Sequence, residues 1–157
     1  CVDTIEIACT RTTHRLELRR PTKEEVEAAE QRLQTEKNPI ERFFAEHILK
    51  ADQATEHTEI AEIQVFRVGD WAVVGLPGEI FVSFGLELKK QSPFSQTIVN
   101  TLCNGSIYGY VCTREAYSQG GYEPRIKLKS RTPVDAGEQF VKKASALLDE
   151  LYGHVTV

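Results

Sequence analysis

Methionine is absent from these 157 residues and the chain opens on Cys1, so the polypeptide is expected to be processed or to be part of a longer one. No apolar run approaches the ~18 residues that cross a bilayer, and no charged-then-apolar leader opens the chain. A GxSxG elbow, a Walker loop, a GxGxxG turn and an HExxH pair are all missing, which removes the common nucleophile, phosphate and zinc-protease motifs. Cysteine is sparse. Cys1, Cys9, Cys103 and Cys112 do not form the close pairs of zinc knuckles or thioredoxin-like motifs and are too few for a disulfide scaffold. Idle or buried thiols are expected, with a disulfide as the alternative. An excess of positive charge is lacking too: 19 basic against 23 acidic side chains leave a net charge of −4. That balance argues against nucleic acid or a polybasic membrane surface as partner.

What remains is the composition of one soluble globular domain spanning 1–157, 41% hydrophobic and 27% charged. Alternation predicts strands over Val2–Ala8 and His14–Leu18, joined by a Thr-rich turn at Thr10–Thr13. Pro21-Thr22 followed by Lys23-Glu24-Glu25 reads as a helix start, with acids where the helix dipole favours them. Its run KEEVEAAEQR is a solvated face. After Asn38-Pro39, Ile40, Phe43, Phe44, His47, Ile48 and Ala51 fall at helical spacing, an amphipath expected to pack on the core. Glu59–Val68, the Gly69-Asp70 turn and the run Trp71–Leu76 (WAVVGL) read as a hairpin. The second strand of that hairpin is apolar enough to be buried on both faces, under helices. Pro77-Gly78 stops it, a helix is expected over Glu79–Lys90, and Gln96–Leu102 reads as a further strand. Asn104–Tyr122 is rich in Gly, Tyr and Ser with little periodicity, and Gly137–Leu151 forms a closing amphipathic helix. The fold class is therefore α/β: a mixed sheet flanked by helices, expected to belong to a larger layered catalytic domain.

Two places can carry chemistry. Glu79 follows a buried strand and a tight Pro-Gly turn, the edge where sites of α/β sheets gather; the plainer reading is a carboxylate that complements a helix dipole. The stretch Asn104–Glu123 places Tyr108, Tyr110, Tyr117 and Tyr122 in a Gly-rich segment with Arg114, Glu115 and Glu123. It reads equally as a functional loop or as an aromatic surface that packs a loop down or meets a partner. His14, His47, His57 and His154 show no pairing at ligand spacing, and His47 reads as a packed helix side chain.

The order LPGE (Leu76–Glu79), then YGYVCTREAY (Tyr108–Tyr117), then QGGYE (Gln119–Glu123) resembles the C-terminal part of the neutral ceramidase catalytic domain, most of all the shorter ceramidase-like proteins of bacteria. The resemblance runs over about Glu59–Leu151. It implies that Glu79 and Tyr110 ligate a catalytic zinc and that Tyr122 hydrogen-bonds the developing oxyanion. Arg114 and Tyr117 match motif positions with no role beyond support. Family members often carry two residues between the first two tyrosines of the block, where this chain has only Gly109. A local realignment would make Tyr108 the ligand, although the register of VCTREAY favours Tyr110. The other two zinc ligands are expected to be histidines in an N-terminal portion outside this chain, so the segment alone should bind zinc weakly and hydrolyse nothing.

The implied function is that of the C-terminal part of a zinc-dependent amide hydrolase acting on N-acyl, ceramide-like substrates. A non-catalytic binding or structural module of the same fold is the alternative. The partners implied are an acyl-amide substrate and the missing N-terminal portion or another chain, with no transmembrane segment. A secreted or periplasmic location is implied by the resemblance alone. Glu79, Tyr110 and Tyr122 are expected to share one pocket, with exposed apolar surface or an unpaired sheet edge beside it.

Overall fold

In the computed structural model, which describes residues 5–105 and 109–153, strand β1 (Ile7–Glu17) lies antiparallel to β2 (Thr58–Val68) over its whole length. The two short strands and Thr-rich turn expected at this end are thus a single strand. Thr10, Thr12 and Thr13 are β-branched and suit a pleated backbone, and no Gly or Pro interrupts the alternation. Position 1, Val2, Tyr108 and His154 lie outside the described residues.

Gly69, at φ +61°, opens the tight hairpin from β2 to β3 (Trp71–Gly75), as its freedom to take positive φ allows. Beyond β3 the chain forms the two-residue strand β4 (Glu79–Ile80) and helix α3 (Val82–Gln91), then returns as β5 (Gln96–Asn100), parallel to β3. The sheet is mixed, four-stranded and ordered β1-β2-β3-β5. Helix α5 (Ala136–Gly153) lies across β1 and β2 and against α3. Its Phe140, Ala144 and Leu148 meet Ile63, Val65, Val74 and Leu88 in one contiguous core. Arg67 ends the inner row of β2, donating to the Leu151 carbonyl (3.0 Å) near the C-terminal end of α5, where a cation opposes the helix dipole. The fold is α/β, a mixed sheet with flanking helices.

Two packing expectations are corrected. WAVVGL is not buried on both faces: Ala72 and Val74 are buried, but Trp71 is 54% exposed. Phe66, Val68 and Ile98 stand exposed on the same open side, set there by the pairings Val68↔Trp71, Phe66↔Val73 and Val73↔Ile98. The helices that would have covered this face are engaged elsewhere. Helix α1 (Lys23–Thr35), started by a reciprocal Thr22–Glu25 capping box, packs against α2 (Pro39–Asp52). Nor does α2 join the sheet core. Phe44 meets the Tyr122 ring (5.4 Å between centres), Glu41 takes both terminal nitrogens of Arg125 (2.8 Å each), and His47 Nδ1 accepts from the Leu128 amide (3.1 Å). The amphipathic face of α2 thus holds the segment 122–128 against the rest of the molecule.

Candidate functional site

The LPG turn after β3 is pinned from the following loop. The amide of Leu76 donates to Asn100 (2.9 Å), that of Leu102 to Gly78 (3.0 Å) and that of Cys103 to Leu76 (3.0 Å). Leu102 and Asn104 take positive φ, 56° and 58°, a costly conformation for a bulky side chain such as leucine. The Asn104 side-chain amide donates to the carbonyls of Gly75 (3.0 Å) and Glu62 (3.3 Å), which holds this bend in place.

Glu79 is not at a helix N-terminus, contrary to the sequence reading. It belongs to β4, and α3 starts at Val82, so complementing the helix dipole does not account for it. The reason is a strand partner that has no periodicity in the sequence: β6 (Tyr110–Val111) pairs with β4 in parallel, with Glu79 beside Tyr110. The Glu79 amide donates to Gly109 (2.9 Å) and the Phe81 amide to Val111 (3.1 Å). The Glu79 carboxylate beside Tyr110, as a hydrogen-bond acceptor and then as a charge, holds the Tyr110 phenol pKa above the ordinary tyrosine value. The Tyr122 ring stands edge-on to that of Tyr110, 6.2 Å between centres. Glu79, Tyr110 and Tyr122 are therefore brought together; Tyr108 lies outside the described residues.

Glu79 and Tyr110 line an open cleft of about 430 Å³ together with Phe81, Val82, Leu102 and Glu123. Val82 and Leu102 are 77% and 69% exposed, so apolar surface does stand beside Glu79. A second cavity of about 360 Å³, between Leu18, Glu59, Leu128 and Arg131, holds none of the expected site residues.

A second layer fixes Tyr110. Thr132 Oγ1 donates to its carbonyl (2.6 Å), and the Thr132 carbonyl accepts from Tyr117 Oη (3.3 Å) and Arg19 Nε (3.0 Å). Arg19 also donates to Pro124 (2.7 Å) and lies 4.6 Å over the Tyr117 ring. The support position Tyr117 thus acts through Thr132, and Arg114 ties helix α4 (Arg114–Gln119) to Glu138 of α5 (2.9 Å). That helix falls within a stretch read as aperiodic. Its signal was Thr113, whose hydroxyl caps it by accepting from the Ala116 amide (3.3 Å).

Lys127 escaped the sequence reading altogether. Its ammonium lies over the rings of Tyr122 (4.2 Å), Tyr110 (5.1 Å) and Phe44 (5.7 Å). No spacing in Lys127-Leu128-Lys129 marks it off from a solvated basic run. The histidines lie elsewhere: His14 contacts the Gln139 side chain and His47 faces Leu128. Among the described residues no three His, Cys, Asp or Glu side chains gather as a metal cluster. Cys9, Cys103 and Cys112 are free thiols.

The class defined by these observations is an α/β mixed sheet with a carboxylate–phenol pair just past its central strand. Solved ceramidase structures share this fold. The chain superposes on a neutral ceramidase from Pseudomonas aeruginosa with a TM-score of 0.61 at 18% identity, covering 97% of this chain and 29% of that one. A ceramidase complexed with C2 gives a TM-score of 0.52 at 20% identity, over 62% of this chain and 16% of that one. At these identities the likeness is one of fold, and the chain spans less than a third of the ceramidase chains it matches. No family model and no curated protein matches the sequence.

Proposed function

We propose that this chain is the C-terminal part of a zinc-dependent amide hydrolase that cleaves N-acyl bonds, with ceramide-like lipids as the substrate class. One observation carries the reading: a carboxylate and a phenol, side by side where β4 and β6 pair, open into one cleft with a second phenol 6.2 Å away, ring to ring. The likeness in fold to part of a neutral ceramidase supports it.

The donor set fits half of a zinc site. Glu79 offers an anionic oxygen and Tyr110 a phenol oxygen on neighbouring strands, and both suit Zn²⁺. The two donors still needed fall to histidines of the upstream portion. Bound there, zinc would activate a water and polarise the scissile carbonyl. The Glu79 carboxylate favours the protonated phenol at Tyr110, so Tyr110 would ligate as phenolate only with the metal's charge beside it. Tyr122, 51% exposed, keeps its hydroxyl free to donate to a tetrahedral oxyanion, a contact worth about 10²–10³ in kcat. Exposed Val82 and Leu102 give the mouth of the cleft an apolar rim for an acyl chain. No helix among the described residues is long and apolar enough to cross a membrane. Export to the periplasm or the medium belongs to the same proposal.

The test uses the whole protein that carries this chain: zinc content by elemental analysis, and release of fatty acid from N-acyl sphingosine and from short N-acyl amides. Glu79→Gln and Tyr110→Phe are expected to lower zinc stoichiometry, whereas Tyr122→Phe keeps the metal and loses kcat. A whole protein that takes up no zinc and cleaves no amide would leave the binding-module reading standing.

A further inference from the structure

The geometry points to Lys127 as a positioning residue of this site: its ammonium, caged by Tyr110, Tyr122 and Phe44, holds the two phenols in one orientation and sets a fixed positive charge behind them. The inference rests on the amide-hydrolase reading and deepens it. Three observations carry it.

The Lys127 Nζ is buried and makes no hydrogen bond among the described residues. An ammonium taken out of water without a partner is costly. What surrounds it instead is the faces of three rings, at 4.2 Å (Tyr122), 5.1 Å (Tyr110) and 5.7 Å (Phe44), where the ring quadrupoles attract a cation. Glu123 and Glu79 attract the ammonium, and the Arg125 guanidinium repels it. If the side chain served only to fill the cage, methionine or leucine would do so without the desolvation cost.

The lysine is also anchored at its backbone. The Lys127 amide donates to Ser130 (3.3 Å) and the Ser130 amide to Lys127 (2.8 Å), and Ser130 in turn walls the Gly109 backbone that precedes Tyr110. Position 127 and the strand bearing Tyr110 are therefore fixed against each other, and the cage is not the chance resting place of a long side chain.

The two caged phenols, finally, are those to which the proposed chemistry gives negative charge or a strong hydrogen bond. A cation against the ring faces holds both rings where their hydroxyls are needed and makes the Tyr122 hydroxyl a better donor. Because the ammonium is buried, it acts through the tyrosines and does not touch the substrate.

The experiment compares Lys127→Met, which keeps the stem and removes the charge, with Lys127→Arg, which keeps the charge, in the whole zinc-loaded protein. Lys127→Met should leave zinc content and thermal unfolding near wild type, hold KM within about twofold and lower kcat about 10- to 100-fold; Lys127→Arg should restore most of the loss. A second readout needs neither metal nor substrate. With 3-fluorotyrosine incorporated, and signals assigned through Tyr110→Phe and Tyr122→Phe, each held ring gives separate resonances for its two flip states in the wild type. In Lys127→Met these merge as the rings are released. Unchanged kcat with unchanged ring resonances overturns the proposal. So does a Lys127→Met protein that fails to fold, or one that loses stability and kcat together with no rescue by arginine, because Lys127 would then act in packing. If the wild type binds no zinc and cleaves no amide, the amide-hydrolase reading falls, and the fluorine spectra still decide whether Lys127 holds the rings.

Discussion

Replacing Gly109 by alanine should damage the fold and the site at once. Gly109 has φ +97°, which costs an L-residue about 1–2 kcal/mol. A Cβ built there would also lie 2.5 Å from Ser130 Cβ and 3.1 Å from Ser130 Cα. Ser130 is buried and pinned by its bonds to Lys127, so the segments carrying Gly109 and Ser130 must part, an overpacking cost of about 1–3 kcal/mol. The sum is about 2–5 kcal/mol. At roughly 2–4 °C per kcal/mol for a domain of this size, Tm should fall by about 4–20 °C. Because the Gly109 carbonyl accepts from the Glu79 amide at 2.9 Å, the displacement also pulls Tyr110 away from Glu79. Thermal unfolding followed by circular dichroism measures the first effect. A double-mutant cycle with Ser130→Gly separates the two terms: removing the serine side chain should return the overpacking share and leave the φ share in place. An alanine variant with wild-type Tm would refute the reasoning. So would a cycle showing no coupling between positions 109 and 130.

Other perturbations have equally definite outcomes. Thr22→Ala removes the hydroxyl that accepts from the Glu25 amide and should cost about 1 kcal/mol in urea unfolding with an unchanged m-value. His47 has its pKa lowered from the ordinary 6.5, chiefly by burial, so the unfolded chain binds that proton more readily. Its contribution to stability is complete above about pH 6.5 and is lost as pH falls below that value toward the folded pKa. Wild type should therefore lose more stability between pH 7 and pH 5 than His47→Gln does; a difference that is flat with pH would contradict the packing of His47 against Leu128. The Cys112 thiol is buried and pushed up to about 11 by desolvation, so a thiol reagent at neutral pH should label exposed Cys9 in the native protein and Cys112 only after unfolding. Native labelling of Cys112, mapped by mass spectrometry, would show that the wall behind Tyr110 opens.

How much of this could be read from the sequence follows from the range of the interactions. Gly69-Asp70, the Thr22 capping box and the stripe Phe140, Ala144, Leu148 are local signals, and each element formed where its residues asked for it. The first strand was split in error because a threonine cluster was read as a turn, when β-branching makes the same residues good strand formers. Two-sided burial of WAVVGL was inferred from hydrophobicity, but the helices that would cover the second face are claimed by each other and by segment 122–128. That competition has no sequence period. The site shows the same division. The motif order points to one pocket for Glu79, Tyr110 and Tyr122. Glu79 and Tyr110 do line one cleft, with Tyr122 beside Tyr110 and outside that lining. The strand pairing that joins Glu79 to Tyr110, each partner two residues long, is too short to leave an alternating pattern.

Strands that short cannot hold two donors in register by their own ladder, so the accuracy of the site has to come from its surroundings. Two sets of contacts supply it. On the Glu79 side, the bend through Leu102 and Asn104 takes strained backbone to grip Gly78, Leu76 and Gly75. On the Tyr110 side, Thr132 bonds its carbonyl and is itself held by Arg19 and Tyr117, while Ser130 stands against Gly109. Arg19 follows β1, and Tyr117 lies on α4, so residues remote in sequence are locked onto one tyrosine. A scaffold that served only as a docking module would have little use for positive φ at a leucine or for a buried ammonium beneath two phenols. Strain and desolvation of this kind persist where they hold a reacting geometry. Backbone strain at Leu102 and a buried ammonium meet around Glu79 and Tyr110, beside the cleft those two residues line, and that is the physical reason to look for chemistry at the end of β3.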